Sequence, residues 1–154
     1  MLIESVSWKK TASGTPSATL DDFRIYMGYC TGDELGAVFD DNYVPGTKTL
    51  VFHDDPFVLS GNPDQWMEIA LDTSFGWDGT DNLLIDVEWS DGSGTVYVYH
   101  WDSGSGRSLS ADYGSPEGFV QNIVSHLQLT GTEMAIEQHT FGGLKAFLGT
   151  LLPH

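Results

Sequence analysis

The sequence predicts an all-β fold: an antiparallel two-sheet β-sandwich of jelly-roll type, with about nine or ten strands and little helix. Apolar and polar residues alternate with a period of two through most of the chain, as they do in strands with one buried face. The alternating segments are short and lie roughly 8–15 residues apart, with Gly, Asp, Asn and Ser between them. No strand–long helix–strand rhythm, which is typical of parallel sheets, is visible.

The first part of the chain supplies strands at "LIESVSW", "FRIYMGYC" and "TKTLVFHD". In the first of these, strict alternation puts Ile3 and Val6 on opposite faces. The second places four apolar side chains on one face: Phe23, Ile25, Met27 and Tyr29. The Gly/Ser/Thr/Pro-rich stretch over residues 11–22 predicts a loop. Residues 31–39 admit one helical turn, with Thr31 at its N-cap.

The second part continues the alternation. "QWMEIALD" sets Met67, Ile69 and Leu71 against Trp66, Glu68 and Ala70. In "NLLIDVEW", Asp86 and Glu88 alternate with apolar residues, so we expect both to face solvent. Further strand segments are "TVYVYHW", "RSLSADY", "QNIVSHLQLT" and "EMAIEQHTF".

The tail, "FGGLKAFLGTLLPH", admits two conformations: a last β-hairpin on Gly142-Gly143, or a short helix over residues 143–152. We favour a strand over 144–148, with 149–154 as a loose end. The whole chain, residues 1–154, suits a single domain, because at this length roughly two-thirds of the unfolded surface can be buried.

The charge balance excludes several partners. The chain has 6 Lys+Arg and 22 Asp+Glu, for a net charge of −16. We therefore expect no nucleic-acid partner, because phosphates need cationic cover, and no attraction to anionic membrane surfaces. No stretch approaches ~18 apolar residues, so we expect no membrane insertion. Cys30 is the single cysteine; it excludes an intrachain disulfide and is expected to be a small core residue.

The start of the chain reads as the inside of a strand, and no signal peptide is visible in it. This favours a domain that has been excised or processed from something larger. The high acidity favours solubility in a cation-rich medium.

The Asp-rich segments admit two interpretations. Asp-Gly pairs such as Asp78-Gly79 form turns, because Gly accepts positive φ and Asp bonds its own backbone. The alternative is a structural calcium ion, which takes six to eight oxygen ligands. Its candidate ligands are Asp40, Asp41, Asn42, Asp78 and Asp81. None of these stretches matches an EF-hand loop, so turns are the favoured interpretation; no other cofactor is expected.

No catalytic pattern is present. There is no G-x-S-x-G elbow and no pair of histidines at metal-binding spacing. A chain with 22 acids always offers some carboxylate pair, so such a pair carries no information about glycosidase activity. We expect a protein that is not an enzyme.

Aromatic residues are the strongest candidates for binding. Six of them lie in neighbouring strands or turns: Trp66, Trp77, Trp89, Tyr97, Tyr99 and Trp101. If Val96 and Val98 face the core, then Tyr97, Tyr99 and Trp101 line an outer face where sugar rings could stack; in the opposite register they belong to the core. We favour core or half-core positions for most of the six. The candidate ligand-binding residues are Trp77, Tyr97, Tyr99 and Trp101.

Three motifs together resemble a module of large secreted or cell-surface bacterial proteins. They are "FRIYMG", then "WMEIALD", then "FGWDGTDNLLIDV", and the "HTFGGLKAF" stretch adds a similar ending. The motifs consist of turn and core positions and cover most of residues 1–148. The resemblance implies a non-catalytic β-sandwich located outside a bacterial cell or on its surface, and it implies no catalytic residues.

The predicted function is therefore a non-catalytic extracellular module for binding or adhesion, with a polysaccharide or a protein surface as partner. The alternative is a structural subunit that assembles through its terminal strands. The segments "MLIESVSW" and "EMAIEQHTFGGLKAFLG" both read as strands with few charged residues to protect an edge.

Overall fold

The structure, a computed structural model, describes residues 1–133. Within that range the regular secondary structure is antiparallel β-strand, apart from a single turn of 3-10 helix at Asp40–Asn42. The prediction of an all-β, sandwich-like fold is confirmed. The strands are β1 (Leu2–Gly14), β2 (Ser17–Asp21), β3 (Phe23–Tyr29), β4 (Thr49–Asp54), β5 (Phe57–Ser60), β6 (Trp66–Gly76), β7 (Leu83–Glu88), β8 (Asp91–Ser93), β9 (Val96–Val98), β10 (His100–Asp102), β11 (Ser108–Ser110), β12 (Phe119–Gln121), β13 (Ile123–Ser125) and β14 (Leu127–Thr132).

The strands form five hydrogen-bonded groups rather than two continuous sheets. The groups are β14-β1-β6 with β9 beside β1, then β4-β3-β7, β5-β2-β8, β10-β13 and β11-β12. Fourteen strands within residues 1–133 exceed the nine or ten predicted. The difference arises where a predicted loop contains β2, where a predicted turn contains β8, where β12 adds a strand, and where "TVYVYHW" divides into β9 and β10 and "QNIVSHLQLT" into β13 and β14.

The core lies between the groups centred on β1 and β3. Its buried side chains come from β1, β3, β4 and β6: Ile3, Val6, Phe23, Ile25, Met27, Val51, Ile69 and Phe75. Strands β4 and β6 contact each other, and the backbone N–H of His53 donates to Asp72 Oδ2 at 2.9 Å across them. Two sheets that bury their apolar faces against each other are the basis of a sandwich.

Alternation predicts β3 and β6 correctly but fails in β1. In β3 and β6 the predicted inward faces are buried or half-buried. In β1 the pairing register shifts between Ile3 and Ser5. A bulge of this kind inserts an extra residue and reverses the facing of everything beyond it. As a result Ile3 and Val6 are both fully buried, contrary to the prediction of opposite faces.

Residues 31–39 contain no helical turn, so the prediction there is wrong. Thr31 does not cap a helix. Its backbone N–H donates to Asn42 O at 2.9 Å, and its hydroxyl donates to Asp41 O at 3.4 Å. Thr31 thus fixes the loop that carries the 3-10 turn. Cys30 is half-buried rather than a core residue, and it forms an isolated β-bridge with Tyr43.

Asp86 does not point to open solvent as predicted. Its side chain is only 15% exposed and lies 3.6 Å from Lys48 Nζ, and it accepts a hydrogen bond from the Tyr43 hydroxyl at 3.5 Å. Burial, reinforced by the Asp86 carboxylate, raises the pKa of Tyr43. The Lys48 ammonium also lies over the ring of Tyr43, 5.1 Å from its centroid. Tyr43 is therefore held in place from several sides.

Asp22 is the centre of a polar cluster at the end of β2. His53 Nε2–H donates to Asp22 Oδ1 at 2.8 Å, Arg24 pairs with the same oxygen at 2.9 Å, and the Tyr113 hydroxyl donates to Oδ2 at 3.2 Å. The hydrogen bond from His53, followed by the charge of Arg24, lowers the pKa of Asp22. Its φ of 51° is left-handed, a conformation that Asp and Asn tolerate better than other side chains.

We expect this cluster to make stability depend on pH in the acid range. Because the folded-state pKa of Asp22 is lowered, its contribution is present above the unfolded pKa of about 3.9 and is lost as pH falls through the folded value. Urea denaturation of Asp22→Asn should therefore show a loss of stability against wild type at pH 6 that shrinks as the pH falls below the unfolded pKa of about 3.9. Asp41→Asn, at an exposed site, is the control. A deficit for Asp22→Asn that does not change with pH would contradict the expectation.

The tail predictions for residues 142–154 lie outside the described residues. Within residues 1–133, no helix has the length and apolar character needed to cross a bilayer.

Candidate functional site

Four of the six candidate aromatics are exposed. The exposed fractions are 43% for Trp66, 47% for Trp89, 54% for Tyr97 and 58% for Trp101, whereas Trp77 and Tyr99 are half-buried. The preference for core or half-core positions is therefore wrong for most of them. In β9, Val96 and Val98 are half-buried and Tyr97 is exposed, so the register with outward aromatics holds for Tyr97 but not for the half-buried Tyr99.

Two of the exposed tryptophans face a shared open groove. Trp66 and Trp101 line it together with residues 124–127, which span the end of β13 and the start of β14. Trp101 lies opposite Val124 in the β10–β13 pair, and Trp66 lies opposite Lys9 in the β1–β6 pair. Side chains opposite each other in a pair share a face, so the groove is built from residues far apart in the sequence.

Backbone hydrogen bonds tie the walls of the groove together. The N–H of Tyr99 donates to Lys9 O at 2.9 Å, and the N–H of His126 donates to Tyr99 O at 2.7 Å. The N–H of Lys9 donates to His126 O at 3.4 Å. Below this ring of bonds, Trp8 Nε1–H donates to Ser125 Oγ at 3.2 Å. The groove therefore rests on paired strands rather than on an unsupported loop.

A polar network lies at the His126 side of the groove. The Tyr99 hydroxyl donates to Asp64 Oδ1 at 2.6 Å, and this hydrogen bond raises the pKa of Tyr99. The rings of Tyr99 and His126 are tilted at 32° with centroids 5.9 Å apart. Lys9 Nζ lies 5.6 Å from the Tyr99 ring centroid. Tyr99 thus links His126, which lines the groove, to the carboxylate of Asp64 and the ammonium of Lys9.

The groove includes only part of the predicted set. Trp101 lines it and Tyr99 supports it, whereas Tyr97 is exposed but is not among its lining residues. Trp66 and His126 line it although neither was selected as a site residue. The exposure of Trp66 can be inferred from the sequence, because Trp66 occupies a position of β6 at which the alternation places solvent-facing residues. Nothing in the local sequence indicates that His126 lines the groove, because its position depends on pairing between strands distant in the sequence.

Trp77 has a structural role elsewhere in the molecule. Its indole N–H donates to Asp81 O at 2.8 Å, and its ring packs against the core. Its backbone N–H donates to Met1 O at 2.8 Å, and the Met1 ammonium donates to Trp77 O at 2.7 Å. Trp77 therefore fastens the loop over residues 77–82 to the start of β1.

The Asp78 side chain is a turn residue. Its Oδ1 accepts the backbone N–H groups of Thr80 at 2.8 Å and of Asp81 at 2.9 Å. These two bonds, that of Thr80 first, lower the pKa of Asp78. Gly79 has φ +80°, as an Asp-Gly turn requires. The turn interpretation accounts for this segment without an ion.

Two of the other calcium candidates, Asp40 and Asn42, have protein partners too. Asp40 pairs with Lys48 at 2.9 Å. Asn42 is buried, and its amide nitrogen donates to Gly36 O at 3.0 Å and to Val38 O at 2.8 Å. Among residues 1–133, no group of three or more His, Cys, Asp or Glu side chains is arranged to hold a metal ion. The calcium hypothesis gains no site from this geometry and stays a prediction.

The strongest candidate site of the described chain is therefore the aromatic groove of Trp66, Trp101 and His126. The resemblance to secreted bacterial modules is supported by its motifs alone. Comparison of the chain with known protein families, with curated proteins and with solved structures finds no match.

Proposed function

We propose that this protein is a non-catalytic module that binds carbohydrate through the aromatic groove, in an extracellular or cell-surface setting in bacteria. The observation that carries the proposal is the pair of exposed indoles, Trp66 and Trp101, that line one open groove. Large exposed aromatic side chains are costly to leave in water, and in a monomer such a patch is typical of a binding surface.

The chemistry of the groove suits a sugar. A pyranose ring has apolar C–H faces and a polar edge of hydroxyl groups. Indole rings offer flat apolar surfaces for those faces, and Trp adds a polar N–H at its edge. His126 and Ser125 supply donors and acceptors beside the two indoles. The groove is open and supported by paired strands, so a polymer chain can lie along it without threading through the protein.

We expect Trp101→Ala to weaken polysaccharide binding at least about tenfold, equivalent to ~1.4 kcal/mol, because truncating a central aromatic anchor typically costs that much or more. Isothermal titration with the strongest ligand from a glycan array measures the loss. Trp89→Ala is the matched control, since Trp89 is exposed to a similar degree but does not line the groove. Equal losses in the two variants, or no binding to any glycan by the wild type, would remove the proposal.

Assembly through terminal strands is the second candidate function, and the structure reduces the number of strand edges through which it could occur. Strand β1 pairs with β14 on one side and with β6 on the other, so it offers no open edge along residues 2–9. The premise of an exposed first strand is therefore wrong. Within residues 1–133, the outer edge of β14 pairs with no other strand, and an open edge can template a neighbouring sheet. Light scattering over a concentration series distinguishes a strict monomer from an assembly.

A further inference from the structure

We propose that the groove selects uncharged pyranose chains over acidic ones. The inference rests on the proposed carbohydrate function and adds the chemical class of the ligand. It is drawn from the distribution of charge over the chain and from the carboxylate of Asp64, which the Tyr99 hydroxyl holds in place.

The chain has few cations, and the structure uses most of them elsewhere. Arg24 pairs with Asp22 and Glu88, and Lys48 pairs with Asp40 and Asp86. Lys10 is buried and donates to the carbonyls of Thr11 and Ser13. Arg107 Nε donates to Ser105 Oγ at 3.1 Å. Of the cations in residues 1–133, only Lys9 lies beside the groove, through its contact with Tyr99.

The single positive charge of Lys9 does not offset the negative electrostatic field of the whole protein. With a net charge of −16, a polyanion approaching any face meets repulsion beyond its local contacts. Each uronate residue brought into the groove would add a further negative charge to this field. A neutral sugar does not meet this electrostatic repulsion, because its contacts with the indoles do not depend on charge.

The carboxylate of Asp64 has an oxygen that can accept hydrogen bonds from sugar hydroxyl groups. Its Oδ1 is fixed by the Tyr99 hydroxyl at 2.6 Å, and within residues 1–133 its Oδ2 receives no hydrogen bond. Asp64 has φ +65°, and its backbone N–H donates to Lys10 O at 2.9 Å, so backbone and side chain are both held. An oriented carboxylate is a strong acceptor for a neutral hydroxyl and repels a second carboxylate.

The test uses matched ligands with one skeleton. Cellohexaose, a chain of β-linked glucose, is compared with the same chain oxidised at C6 to glucuronate, alongside xylohexaose, chitohexaose and hexagalacturonate. Titration at about 0.02 M and about 0.5 M NaCl separates charge effects from contact effects, because salt screens only the former. We expect at least one neutral chain to bind about tenfold or more tightly than every acidic chain at low salt, with the gap narrowing at high salt.

Two variants test whether the ligand binds in the groove. Trp66→Ala should abolish the binding of the neutral chain, whereas Tyr97→Ala, an exposed aromatic that does not line the groove, should leave it within about twofold. Tighter binding of the acidic chains, lost in Trp66→Ala, would overturn the inference and leave the carbohydrate function standing. If neither class binds, the inference and the proposed function fall together.

Discussion

Replacing Phe23 with alanine is expected to lower the free energy of unfolding by about 3–5 kcal/mol. Phe23 is 2% exposed and belongs to β3, the middle strand of its group. Its ring stacks on Phe57 with centroids 4.8 Å apart and meets the edge of Phe52 at 6.0 Å. Removing it leaves a cavity that two neighbouring rings line, and it removes two aromatic contacts besides the buried area. Urea denaturation followed by tryptophan fluorescence measures the loss.

Phe119→Ala is the matched control for this change. Phe119 carries the same side chain but is 78% exposed, so its truncation should change the free energy of unfolding by no more than about 0.5 kcal/mol. Similar losses in the two variants would show that the core does not lie between the β1 and β3 groups.

Gly28→Ala should cost about 1–3 kcal/mol, although it adds a single methyl group. A Cβ at position 28 would lie 2.6 Å from Cδ1 and 2.8 Å from Cε1 of the Tyr43 ring, and 3.1 Å from Thr47 O. The ring cannot move away cheaply, because Tyr43 is 6% exposed and is held by Lys48 and Asp86. Thermal and urea denaturation of the variant measure the cost.

Gly76→Ala is the control for the glycine change. A Cβ there meets nothing within 4 Å, and the residue does not have positive φ. Its stability should stay within about 0.5 kcal/mol of wild type or rise slightly, since alanine restricts the unfolded chain more than glycine does. Equal stability of Gly28→Ala and Gly76→Ala would show that the ring of Tyr43 does not cover Gly28.

The period-two pattern predicted the fold class and the buried faces of β3 and β6, because one buried face imposes alternation on a strand. The pattern failed where the backbone departs from a regular strand. The bulge after Ile3 reversed the facing of later residues in β1. At Tyr99 the chain leaves regular strand between β9 and β10, so Tyr97 does not join Trp101 in the groove.

The site was harder to predict than the fold for a physical reason. Aromatic side chains stabilise cores and binding surfaces by the same burial of apolar area, so their identity does not say which of the two they form. The groove also depends on strand pairings that bring Lys9, Trp66, Trp101 and His126 together. These contacts join residues 23 positions apart (Trp101 and Val124), 57 apart (Lys9 and Trp66) and 117 apart (Lys9 and His126), distances over which local patterns carry no information.

The central position of β1 sets the order in which this chain can complete its structure during synthesis. Strand β1 is synthesised before β6 and β14, so its two ladders close only after those strands have emerged in turn. Contact order is accordingly high, which places folding in the millisecond-to-second range typical of sandwiches rather than among fast helical folders. Until residue 132 has emerged, the side of β1 that pairs with β14 is bare, and a chaperone or a neighbouring nascent chain has access to it.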